Sequence, residues 1–65
     1  MDPNETYSEI RQLVKNYNAG YSIDEDRLDA LISSLSTWIN DGGFKPNNYS
    51  DSVMLDAEDI VNDFS

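Results

Sequence analysis

The sequence predicts an all-α fold: an antiparallel helical hairpin followed by a shorter third helix, in one small domain spanning residues 1–65. Three observations carry this reading. Two stretches place their apolar residues on one arc of a 3.6-residue period. Each stretch is bracketed by residues that start and stop helices. The connector between them is only a few residues long, which turns the second helix back along the first.

The first helix is expected over residues 3–18. Asp2 can cap it, Pro3 suits its first position and Glu5 can reach back in a capping box. Tyr7, Ile10, Leu13, Val14 and Tyr17 then share one arc, with Glu5, Glu9, Gln12 and Asn16 opposite. Arg11 and Lys15 fall in the later half, where cations suit the negative end of the helix dipole, and Gly20 supplies the left-handed stop.

The second helix is expected over 23–40, with Ser22 and Glu25 as its capping box and Asp24, Glu25 and Asp26 at its positive end. Leu28, Leu31, Ile32, Leu35, Trp38 and Ile39 form its apolar stripe, Leu31 and Trp38 at the centre, and Asp41-Gly42-Gly43 ends it. Residues 41–52 read as an ordered turn anchored by Phe44 and Tyr49. The third helix, 52–64, begins at Asp51 or Ser52 and places Val53, Met54, Ala57, Ile60, Val61 and Phe64 on one face, with Asp56, Asp59 and Asp63 on a neighbouring one. Its caps are weaker, since Asp63 opposes the dipole at its end.

Thirteen acids against four bases give a net charge of −9, and the chain has neither histidine nor cysteine. Disulfides and thiolate or imidazole metal sites are thereby excluded, so packing alone must hold a domain that buries only about 60% of its unfolded surface. The expectation is no enzyme, no cofactor and no metal. A calcium loop beginning at Asp24 would put Leu28, Asp29 and Leu35 where an oxygen ligand, a glycine and a glutamate are required. The serines have no histidine to activate them, with only Lys15 or Lys45 to take that part. Gly42-Gly43 follows a helix and is too short to cradle a phosphate. Asn4-Glu5-Thr6 and Asn48-Tyr49-Ser50 match a glycosylation pattern that needs secretion, and the amino terminus has no basic-then-apolar leader pattern. With no run near the ~20 apolar residues of a membrane span, the chain is expected in the cytoplasm, or in the host cytoplasm if a phage encodes it.

Such a charge repels nucleic acid and anionic membranes and speeds encounter with basic proteins. The candidate partner-binding residues are therefore Asp56, Glu58, Asp59 and Asp63, which spread negative charge over ~10 Å of helix, close to the spacing of successive phosphates. Tyr21 and Tyr49 are the candidate aromatic anchors, as exposed rings next to carboxylates. Ser33, Ser34, Ser36 and Thr37 give the second helix a small, polar flank.

The stretch Leu28–Tyr49, LDALISSLSTWINDGGFKPNNY, resembles short uncharacterised proteins of actinobacterial phages and prophages through Leu31, Leu35, Trp38, Gly42, Gly43, Pro46 and Tyr49. The resemblance implies a shared small scaffold and an origin without implying an activity, and the acidic third segment departs from the pattern. The expected function is a small acidic interaction factor that binds and blocks a basic host protein surface, one that normally holds nucleic acid. The alternative is a helical assembly or adaptor protein acting as a homodimer. Salt separates charge-driven from apolar association. Compacting nine net negative charges also opposes folding, so the melting temperature should rise from low to moderate salt. A steady fall would mean that specific ion pairs outweigh the repulsion.

Overall fold

The computed structural model describes residues 2–64 and is all-helical. Its helices are α1 (Pro3–Asn18), α2 (Glu25–Asn40) and α3 (Asp51–Asp63), and each packs against the other two. Helix α2 returns antiparallel to α1. Helix α3 runs parallel to α1, because Tyr49 just before it stacks on Tyr7 near the start of α1 at 5.3 Å, whereas Phe64 just after it meets Tyr17 near the end of α1 at 6.1 Å.

Asp2 caps α1 as its sequence position demands, its Oδ1 accepting the Asn4 and Glu5 amides at 3.0 and 3.4 Å. Thr6 completes the cap, donating its hydroxyl to the Asp2 carbonyl at 3.0 Å. Both hairpin helices end in the same way. Gly20 (φ 91°) and Gly42 (φ 93°) take the left-handed position, and the amides of Tyr21 and Gly43 reach back to the carbonyls of Asn16 and Trp38 at 3.0 and 2.9 Å. This closure satisfies carbonyls the helix itself cannot, and only glycine adopts its backbone without strain.

Three boundaries differ from the sequence reading: the starts of α2 and α3, and the end of α3, which falls at Asp63 and not at residue 64. Helix α2 starts at Glu25, not residue 23, and its cap is Asp24, whose carboxylate accepts the Arg27 amide at 3.1 Å. Ser22 has no part in it, because Ile23 must stay ahead of the helix to lay its side chain against the core. Helix α3 starts at Asp51 with Ser50 at the cap position but no side-chain cap bond; the Ser50 hydroxyl turns to Ser52 Oγ at 2.8 Å.

The core is made of Tyr7, Ile10 and Val14 from α1, Leu28, Leu31, Ile32 and Leu35 from α2, and Met54, Ala57 and Ile60 from α3. Trp38 is not at the centre of this core, contrary to its place in the stripe. It lies half-buried at the end of α2, where its indole N–H donates to the Phe44 carbonyl at 2.9 Å and its ring meets Phe44 edge-on at 5.7 Å. A side chain at Gly43 would overlap that indole and come within 2.6 Å of the Trp38 carbonyl, so the second glycine is fixed by close approach. The tryptophan thus holds the exit from α2, while Leu28 and Leu35 hold the core.

The connector then turns at Pro46–Tyr49, closed by the Tyr49 amide on the Pro46 carbonyl at 3.2 Å, with Asn48 at φ 60°, a conformation asparagine tolerates. Asn4 ties this turn to the start of α1 by accepting the Asn47 amide at 2.8 Å.

Leu35→Ala should cost ~2–5 kcal/mol, on the scale of the whole stability of a small domain, and should melt all three helices in one transition. Trp38→Ala should remove one hydrogen bond and one ring contact, each worth ~1 kcal/mol, and leave three helices by circular dichroism. Equal losses in the two variants would overturn this division of labour.

Candidate protein-interaction site

Folding divides the charge unevenly. Helix α1 carries two acids and two bases, whereas α3 carries five acids and no base. The single base of α2, Arg27, is drawn toward α1, donating through Nε and Nη2 to both carboxylate oxygens of Glu9 at 2.6 and 2.9 Å. Glu9, on the polar arc of α1, lies at the α1–α2 edge within reach of this guanidinium. The guanidinium hydrogen bond holds the Glu9 carboxyl below its ordinary value, and the carboxylate in turn raises Arg27. The pair is exposed, so it orients the two helices more than it stabilises them. The remaining base, Lys45, sits 5.3 Å from the centre of the Tyr49 ring. Negative potential therefore concentrates on the side of the molecule formed by α3 and the neighbouring edge of α2.

The four predicted acids of α3 are all exposed, and the helix distributes them over two flanks. At 100° per residue Asp56, Asp59 and Asp63 fall within about 60° of one another, and Glu58 lies ~100° or more from all three. Val53, which lines a groove against Arg11, Val14 and Lys15 of α1, marks the flank of Asp56 and Asp63 as the one toward α1. Glu58 belongs to the opposite flank, toward α2, whose near edge carries Glu25 and Asp29 and no base.

Between the two flanks stands Leu55, 59% exposed and unanticipated from the sequence. Asp51 precedes it by four residues and Glu58 and Asp59 follow it by three and four, so the leucine projects from a ring of carboxylates. The signal that could have found it is an apolar residue on the polar arc of an amphipathic helix.

The two tyrosines do not join this face. Tyr21 is 69% exposed, but it lies in the α1–α2 connector at the end of the bundle where α3 stops. Tyr49 is not an exposed anchor. It is half-buried against the core at the other end, its ring tilted on Tyr7 and covered by Lys45. Burial, reinforced by the Asp51 carboxylate, pushes its hydroxyl above the ordinary tyrosine value of 10.0.

No family model, curated protein or solved structure matches this chain. The residues of the phage-type resemblance are thus left with the structural parts they play: Leu31 and Leu35 in the core, and Trp38, Gly42, Gly43, Pro46 and Tyr49 in the exit from α2. Among the described residues no three acids are grouped to hold a metal ion, and no helix is long and apolar enough to cross a membrane.

The raised Tyr49 hydroxyl makes the fold alkali-sensitive. The folded state keeps the proton longer than the unfolded chain, so this contribution is full below pH 10.0 and is lost as pH rises through the higher folded value. Tyr49→Phe should flatten the fall in melting temperature above pH 10.0. An unchanged alkaline profile would show that Tyr49 is not the group responsible.

Proposed function

We propose that this chain is a small acidic interaction factor, with no catalytic role of its own, that docks the exposed face of α3 on a basic protein surface and blocks it. The observation that carries the reading is Leu55 standing exposed among Asp51, Glu58 and Asp59 on the one helix that lacks a base. An exposed leucine at the centre of the polar arc adds helix propensity but buries no apolar surface within the chain. A complementary socket rimmed by lysine and arginine would bury the leucine and pair the acids at once. Charge supplies the rate of encounter and the leucine supplies part of the lifetime. The stripe of Asp56, Asp59 and Asp63 favours a target that otherwise holds nucleic acid, since carboxylates one helical turn apart are spaced at about the phosphate repeat. The sequence resemblance over Leu28–Tyr49 supports a phage origin, with the target in the host cytoplasm.

The test is affinity capture from a bacterial host at low salt, followed by titration of the captured protein with variants. Asp56→Asn, Asp59→Asn and Asp63→Asn together should weaken binding about ten-fold or more and flatten its salt dependence. Leu55→Ala should weaken it at every salt concentration. The complex should lose the captured protein's affinity for nucleic acid. If the triple variant and Leu55→Ala both bind as the wild type does, the α3 face is not the docking surface.

A further inference from the structure

We propose that two copies of this chain also dock on each other through the groove between α1 and α3, about a two-fold axis parallel to those helices. The groove is an open trough of about 510 Å³ whose floor includes Val14 and Val53. Its α1 wall carries Arg11 and Lys15, two of the four bases in the molecule. Its α3 wall is continued, one and three turns beyond Val53, by Asp56 and Asp63. One wall is therefore basic and the other acidic, along parallel helices at matching heights.

That arrangement is self-complementary under one symmetry. A two-fold axis along the groove keeps the helix direction and exchanges left with right, so the basic wall of each copy faces the acidic wall of the other, twice over. Because α1 and α3 run in the same direction, Arg11 stands at the height of the second copy's Asp56. Lys15, about 6 Å further on, falls between the heights of the second copy's Asp59 and Asp63. The two valines of each copy would meet between these pairs. The flank bearing Leu55 and Glu58 points away from this contact, so a dimer would present two acidic faces outward and could hold a repeated target with raised avidity.

Mutual repulsion of two chains of charge −9 works against the contact. Association should therefore strengthen from very low to moderate salt as the net repulsion is screened, then weaken as the cross-pairs are screened in turn. The decisive experiment is a charge exchange on the full chain, read by sedimentation equilibrium at sub-millimolar concentration, with circular dichroism to show that each variant is folded. Wild type should sediment at twice the 7.4 kDa chain mass. Arg11→Glu with Lys15→Glu, and separately Asp56→Lys with Asp63→Lys, should each give monomers, because each makes both halves of the symmetric contact repulsive. An equimolar mixture of the two variants should restore the dimer, because both halves become complementary again. A monomeric wild type, a variant that still dimerises, or a mixture that stays monomeric would each overturn the proposal; the last would show that Arg11 and Lys15 pair with α3 only within one chain. Asp56 and Asp63 belong to both contacts, so the two are told apart by variants that do not share them: Arg11→Glu with Lys15→Glu reads the self-contact alone, and Leu55→Ala reads partner capture alone.

Discussion

Tyr7 is the residue on which the arrangement of the three helices depends. Its side chain is 2% exposed, and a buried phenol must satisfy its hydroxyl. Here the hydroxyl accepts the Ser50 amide at 2.9 Å and donates to the Asn48 carbonyl at 3.4 Å. The Ser50 amide is one of the first donors of α3, which no preceding turn of helix can satisfy and which the cap leaves free. One side chain of α1 therefore closes the turn before α3, takes the place of part of its missing cap and sets where that helix begins. Tyr49 lies over the same ring, and the Arg11 guanidinium sits 5.9 Å from its centre. The start of α3 is held by polar contacts, and its length by Met54, Ala57 and Ile60.

The placement of α3 decides what the surface can do. The helix has no base, so its acids are neutralised only by what faces them from elsewhere. Packed parallel to α1, it sets Asp56 and Asp63 on the flank that Val53 turns toward the groove of Arg11 and Lys15, and leaves Leu55 pointing outward, with Glu58 toward an edge of α2 that is acidic as well. Had the helix docked rotated by one residue, the carboxylate of Glu58 or Asp56 would have been turned into the core, at a cost of several kcal/mol. The same packing that builds the core thus separates a self-complementary flank from a uniformly acidic one.

Much of the fold is legible in single residues. Asp2, Gly20 and Gly42 mark helix ends through local geometry that the neighbouring sequence fixes, and the apolar periods of Tyr7–Val14 and Leu28–Leu35 name the core directly. What was not legible depends on contacts distant in sequence. Ser22 and Asp24 both satisfy a capping pattern, and the burial of Ile23 decides between them. Trp38 fits the period of the stripe, yet its indole N–H needs an acceptor, and the Phe44 carbonyl at the end of the bundle supplies one. Tyr49 reads as an exposed anchor until Tyr7, 42 positions earlier, is placed beneath it. The acids of α3 were visible as a group, but their division between two flanks, and the leucine between them, follow from the direction in which the helix packs.

The most direct test of this account is native-state hydrogen exchange on Tyr7→Phe. That change keeps the ring and its packing and removes only the hydroxyl, leaving the Ser50 amide and the Asn48 carbonyl without their buried partner, an expected loss of ~1–3 kcal/mol. Protection should fall at Ser50 and through the amides of α3 as one block, with α1 and α2 affected less. Undiminished protection in α3, or a uniform loss across all three helices, would contradict it.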